Sequence, residues 1–409
     1  MPATGPLKGV RVLDLSAVVS GPMTASMLAD QGAAVTKVER PGSGDIQRNV
    51  GSRRRGMSGF FHIINRGKRS IALDIRTTAG RDIIHRLAGR CDVVIQNYRP
   101  GVLDRLGLGY PHLSAINPGL IYLSISGFGP DGPVAGQRAY DAIIQACSGM
   151  CRVQGSERDH EPEQINQLVL DKITALKGLQ AITAALFSRE KTGRGQHIHL
   201  AMLDVALAFM WGDAAADFIL QGDGVEHFPP IRGSGHLTRF RDGWAMTMTL
   251  SDHEFEGICR AFDLGYLAAD PRFSTPAARQ GNREILRQTL RPAIDAVAAR
   301  MPLAEGLARL AENEVPAARL PHLQDLPEDP QADHNGIFVE TNHPVAGPMR
   351  ETRPAARFSE TPVAPAGPAP LAGQHTLEIL AELGMQDQAA ALLREGIISV
   401  SSAAAESDN

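Results

Sequence analysis

The stretch "GVRVLDLSAVVSGPMTASMLADQGAAVTKVER", residues 9–40, decides the fold class. Its opening, GVRVLDLS, is a short β-rich run. MTASMLADQG (23–32) reads as a helix that Gly32 closes as a C-terminal stop. AAVTKVER (33–40) is a second strand. Strand, helix and strand on short connections make the repeating unit of a parallel sheet covered by helices. Between the first strand and the helix, small residues enter SGPMTASML (20–28). Backbone N–H groups at that helix start could receive a phosphate. Ordinary loop chemistry explains the same residues, and the pattern leaves both readings open.

The alternation continues outward from this unit. SIALDI (70–75) is a candidate strand, TAGRDIIHRLAGR (78–90) an amphipathic helix and CDVVIQNY (91–98) a strand. GVLDRLG (101–107) is a short helix, and GLIYLSISGFG (119–129) is a strand that ends in glycines. Ligands of such sheets bind beyond the carboxyl ends of the strands. The loops after residues 15, 39, 97 and 125 are therefore the places to look. Residues 140–152 and 171–190 read as helices, and 196–220 as a strand running into a helix. Around 222–242 prolines and glycines break the pattern into a linker and loop. WAMTMTL (244–250) is a strand, and 252–313 is mostly helical, so a second, smaller unit is expected there. Prolines at 344, 348, 354, 362, 365, 368 and 370 suggest an extended connector. GQHTLEILAELGM (373–385) is a capped helix, and the tail from 399 reads as frayed.

Composition bounds the function. The chain has 409 residues, 43% hydrophobic and 21% charged, a globular balance that excludes a disordered chain. A formal net charge of −4 argues against bulk binding to nucleic acid, so any basic anion site must be local. Cys91, Cys147, Cys151 and Cys259 form no CxxC pair, and buried thiols in a reducing compartment are expected. There is no basic-then-apolar leader pattern and no bilayer-length apolar run, so the expected location is cytoplasmic, away from membranes.

RPGSGD (40–45) and RGSGH (232–236) fit neither a P-loop nor a dinucleotide fingerprint. No GxSxG elbow or HExxH helix occurs, and HIH (197–199) alternates like structural strand residues, so no metal is expected. Arg40, Arg76, Arg99, Arg105 and Arg138 fall at the strand ends. A guanidinium donates two parallel hydrogen bonds to phosphate, so their shared position suggests a phosphorylated small molecule. Asp171 stands at the head of the helix 172–190. It can be an N-cap, or a nucleophile at the positive end of the helix; pattern alone favours the cap.

Eight segments occur in one order: PLKGVRVLDLS, GPMTASMLADQGAAVTKVERPGSGD, NRGKRSIALDI, QNYRPGVLDRLGLGY, YLSISGFGPDGP, YDAIIQACSGM, AALFSREKTGRGQHIHLAMLD and PLAGQHTLEILAELGM. Together, from about residue 6 to about 385, they resemble the family III CoA-transferases, the formyl-CoA and carnitine-CoA transferase group. The resemblance implies an α/β fold with a large Rossmann-like domain built from both chain ends (1–222 and 331–409). A smaller inserted α+β domain (223–330) and an interlinked homodimer go with it. It places the catalytic nucleophile on Asp171. It places CoA contacts on Val18, Ser20, Arg40, Leu73, Arg76, Asn97, Tyr98, Arg99, Val102, Arg105 and Arg138. Coenzyme A or acyl-CoA would then be substrate rather than a permanently bound cofactor, and a small carboxylic acid the other partner. Val19 stands where the formyl-CoA branch has a glutamine, and Ser126 where it has a lysine, which together argue against formyl-CoA and oxalate. RGSGH is a loose match to the family's glycine loop. The same fold hosts an acyl-CoA racemase whose histidine position is held here by Tyr140, a poor base at neutral pH. Transfer is therefore favoured over racemisation. Intramolecular CoA transfer and a non-catalytic CoA-binding module stay open as alternatives.

Overall fold

Residues 93–95 and 121–123 are apolar without alternation, the pattern of strands buried on both faces. The computed structural model, which describes residues 4–155, 161–226 and 235–401, shows why. The chain divides into two compact units, Met1–Met210 with Asp333–Asn409, and Trp211–Ala332.

In the larger unit the elements run β1 (Arg11–Asp14), α1 (Ser20–Asp30), β2 (Ala34–Glu39), α2 (Gly59–Asn65), β3 (Lys68–Leu73) and α3 (Thr78–Ala88). They continue with β4 (Val93–Gln96), α4 (Val102–Arg105), α5 (Tyr110–Ile116), β5 (Ile121–Ser126), α6 (Asp141–Cys147) and α7 (Met150–Gln154). Then come α8 (Val169–Thr192), β6 (Gln196–Ala201) and α9 (Met202–Met210). The strands form one sheet in the order β3-β2-β1-β4-β5-β6, all parallel, with Ile398–Ser399 added antiparallel outside β3. Consecutive strand residues feed opposite faces. Leu13, Val94 and Tyr122 pack with α3 and the C-terminal helix residues Ile379 and Leu380. Val12, Val93, Ile95, Ile121 and Leu123 pack with Leu28 of α1 and Ile182 of α8. Helices α1 and α8 approach closely at Gly178, where an added Cβ would stand 2.9 Å from Thr24 Oγ1 and 3.2 Å from Leu123.

The smaller unit is a three-stranded antiparallel sheet of Gly235–Phe240, Gly243–Met248 and Ala317–Arg319. Helices led by Asp252–Ala261, which Ser251 and Glu254 close with a capping box, cover it. Phe240, Phe255, Phe262, Phe273 and Leu310 fill its core.

Several expectations need correction. The segment read as loop up to 242 contains the strand Gly235–Phe240, hairpinned onto Gly243–Met248. Of RGSGH, residues 232–234 lie outside the described residues, and Gly235 and His236 open that strand. The single helix read over 140–152 is two, divided at Gly149 with φ 86°. Cys147 and Cys151 therefore do not share a helix, and Cys147 is exposed. The proline-rich connector begins with an antiparallel hairpin, Phe338–His343 with Gly347–Thr352. The tail read as frayed carries Ser399 in the sheet, while 402–409 lie outside the described residues. Among the described residues no helix is long and apolar enough to cross a membrane.

Candidate active site

Asp171 is not the N-cap of its helix. Helix α8 starts two residues earlier, with Leu168 as N-cap and no side-chain capping bond. The cap comes from elsewhere in the chain: Asp141 Oδ2 accepts the Asp171 N–H at 2.8 Å. Asp141 is the first residue of α6 and is almost wholly buried. One turn on, Gln145 donates to Asp141 Oδ1 at 2.6 Å and grips the backbone of Ile165 and Gln167. Helix α6 thus fixes both the approach to α8 and its first turn, whose free N–H groups would otherwise need water.

With its backbone held from behind, the Asp171 carboxylate faces α1. Ser20, the first residue of α1, shares the cavity wall with it, and the Ser20 N–H and hydroxyl both act to lower the Asp171 pKa. Asp171 is only 8% exposed. Burial pushes its pKa up to about 6, the neighbouring Asp141 carboxylate pushes the same way, and the Ser20 donors recover only part. The helix N-termini do not keep Asp171 unusually acidic, contrary to the simple dipole expectation.

A cavity of about 280 Å³ opens over this carboxylate. It gathers Val18, Ser20, Asn97, Tyr98, Arg99 and Arg138 around Asp171, with Tyr140 also in its wall. These come from the loops after β1, β4 and β5, the carboxyl edge singled out by topology. The Arg99 and Arg138 guanidinium groups have no hydrogen-bond or ion-pair partner among the described residues, so both are available to an anion.

The other expected contacts lie outside the cavity. Arg40 follows β2 and is exposed, yet close enough to act electrostatically on Tyr98 and Asp74. Arg76 is folded back on Asp74 with bonds of 2.9 and 2.7 Å. That pairing is the main reason the Asp74 carboxyl sits down at about 2. Leu73, the last residue of β3, is buried in the core and pairs with Ile398 in the sheet. Val102 and Arg105 begin and end α4. A cavity of this size is too small for a whole nucleotide cofactor. A longer ligand would run out over the arginine-bearing loops. Asp141 and Gln145 escaped the sequence reading. Their spacing of four at a helix start was the available signal, but their partner Asp171 lies thirty residues away.

Comparison with known proteins agrees with this geometry. The model of CoA-transferase family III matches residues 7–376. The chain is 35% identical over 401 residues to succinyl-CoA:glutarate CoA-transferase of Mus musculus, covering 96% of this chain and 90% of the relative. It is 34% identical over 393 residues to succinate--glutarate CoA-transferase of Agrobacterium fabrum, covering 92% and 96%. The crystal structure of a CaiB/BaiF family protein from Brucella suis superposes with a TM-score of 0.80 at 34% identity, covering 93% of this chain and all of that one. A whole-length match in sequence and in fold, around a carboxylate set beneath an arginine-walled cavity, makes this chain a transferase enzyme that belongs to CoA-transferase family III.

Proposed function

We propose that the protein moves CoA from an acyl-CoA donor to a carboxylic acid through covalent intermediates on Asp171. The carrying observation is the carboxylate itself: buried, its backbone braced from behind by Asp141, and lining the cavity beside Ser20. An Asp171 oxygen attacks the thioester carbonyl of the donor, the C–S bond breaks, and CoA thiolate leaves a mixed anhydride. The thiolate then attacks the aspartyl carbonyl, expels the donor acid as its carboxylate, and forms an aspartyl-CoA thioester. The acceptor carboxylate attacks that thioester, thiolate departs again, and its attack on the acceptor carbonyl returns Asp171 as a free carboxylate. Each step exchanges one nucleophile for another, and no proton need be taken up or released.

The electrostatics favour this course. A pKa of about 6 in place of 3.8 means that the ionised side chain carries a penalty of roughly 3 kcal/mol in its site. Anhydride and thioester at Asp171 are uncharged and escape that penalty, so burial favours acylation. The Ser20 N–H and hydroxyl face the aspartyl oxygens where charge develops during attack on that carbonyl.

The nucleotide end of CoA fits the basic loops of Arg40, Arg76 and Arg105, and the thiol end fits beside Asn97, Tyr98 and Arg99. The names of the mouse and Agrobacterium relatives point to dicarboxylic acids, so we infer succinyl-CoA as donor and a dicarboxylate as acceptor. A homodimer completes the reading. Leu176 and Phe187 on α8 and Phe209 on α9 are 53%, 64% and 54% exposed, large apolar side chains that a second copy would cover. Replacing Asp171 by alanine is expected to abolish CoA transfer while calorimetric CoA binding persists. Hydroxylamine should trap a hydroxamate at Asp171 of the wild type during turnover. Retained transfer in the alanine variant would remove Asp171 from the mechanism.

A further inference from the structure

The turn between β1 and α1 is held by an unusual set of partners. Ser16 N–H donates to Asp14 Oδ1 at 3.0 Å, and the Ser16 carbonyl accepts from Lys37 Nζ at 2.9 Å. Ala17 is held at both ends by Asn97, whose Oδ1 accepts at 2.9 Å and whose Nδ2 donates at 2.6 Å. Val18 N–H points at Asp45 Oδ1 at 3.5 Å. Side chains thus take every one of these backbone groups. Gly21 closes against Ser16, where an added Cβ would stand 2.4 Å from the serine side chain.

Within this grip Val18 has φ 71°. A β-branched residue in the left-handed region is strained by roughly 1–3 kcal/mol and persists only where its surroundings over-determine it. One residue after Val19, Ser20 lines the cavity beside Asp171 and acts to lower its pKa. The strained turn therefore sets the aim of both donors on the nucleophile.

At the centre of the grip is Lys37, a fully buried lysine on β2. Its ammonium lies 3.1 Å from Asp45 Oδ2 and 3.9 Å from Asp14 Oδ2, and Lys68 neutralises Asp14 from the other side at 2.8 Å. Burying a lysine costs several kcal/mol unless its partners are well placed. Here those partners are the two acids that hold the turn and the carbonyl of the turn itself. We propose that Lys37 is a positioning residue: it clamps the Ser16 carbonyl and Asp45, and so holds the left-handed Val18 turn that aims Ser20 at Asp171. This rests on the reading of Asp171 as nucleophile, but part of its test does not.

The Ser20 donors lower the Asp171 pKa, and among charged groups the Asp141 carboxylate acts on it in the opposite sense. Loss of aim must therefore raise that pKa. The experiment is Lys37→Gln in the full chain. The Asp171 titration is followed by NMR of carboxyl-labelled aspartate, with Asp171→Asn identifying the signal, alongside steady-state transfer kinetics. The expected results are an upward shift of the Asp171 midpoint and a fall in kcat of roughly tenfold or more, with KM for acyl-CoA changed less than about threefold. Adding Val18→Gly to Lys37→Gln should recover much of kcat, because glycine adopts positive φ without strain. If Lys37→Gln does not fold, Asp45→Asn removes the same ion pair at constant shape and is read in the same way. An unmoved Asp171 midpoint in a folded variant, or no recovery from the glycine, overturns the proposal. A shifted midpoint in a protein without transferase activity upholds the positioning role and overturns only the catalytic reading.

Discussion

Asp171 joins a helix-start position, which favours a carboxylate, to burial and a second carboxylate, which oppose it, and the opposition wins. The sign of the consequence for stability follows from linkage. A folded-state pKa raised from 3.8 to about 6 means that, between those values, the unfolded chain is ionised while the folded chain stays protonated. The stabilising effect of the neutral form is complete below the unfolded pKa and is lost as pH rises through about 6. Asp171→Asn should therefore be about 2–3 kcal/mol more stable than wild type above that window and no more stable below pH 4. Paired denaturant titrations across pH would show the gap opening between these limits. A constant gap, or none, would mean that the site does not burden the ionised form. On the proposed mechanism, transfer by the wild type should rise through the same window, because the ionised carboxylate is the attacking form.

Between elements, the contact that matters most for the site is α1 on α8. The two helices carry Ser20 and Asp171 at their first turns, and the spacing between them is set by Gly178 against Thr24. Gly178→Ala gains helix propensity of up to about 1 kcal/mol but forces Cβ into Thr24 and Leu123. Overpacking of this kind costs roughly 1–3 kcal/mol, so a net loss of stability is expected, together with a fall in kcat as Ser20 and the proposed nucleophile Asp171 are prised apart. Calorimetry and transfer kinetics on the one variant check both effects. The same pair shows what the sequence could reveal. The strands and the loops that bear the site were legible because apolar runs such as Val93–Ile95 and their glycine-marked ends are local signals. Asp171 by pattern alone read as a cap, and only the ordered family segments gave it chemistry. Asp141 was illegible, because its meaning is a hydrogen bond across thirty residues to a backbone N–H. The strand Gly235–Phe240 was hidden by the proline and glycine punctuation before it.

For the molecule as a whole, the proposed homodimer would cover the exposed apolar residues Leu176, Phe187 and Phe209. Light scattering is expected to give twice the chain mass, with a melting temperature that rises with protein concentration, as for a dimer without a stable folded monomer. A concentration-independent transition at the mass of one chain would remove the dimer from the proposal. The larger unit is also fastened from both ends of the chain. Arg66 binds Asp30 at 2.6 Å and Glu351 at 2.8 Å, and Gly67 N–H donates to the Gly367 carbonyl. The last such fastening, Ile398–Ser399 beside β3, has a consequence in time. A ribosome exposes the β3 edge long before it makes the strand that covers it. Translation at roughly 5–20 residues per second leaves that edge open for tens of seconds. Throughout that interval the nascent chain presents an unpaired strand to any neighbour. In the proposed dimer, late closure would make the order of synthesis part of assembly, and loss of Ile398–Ser399 would leave the edge open permanently.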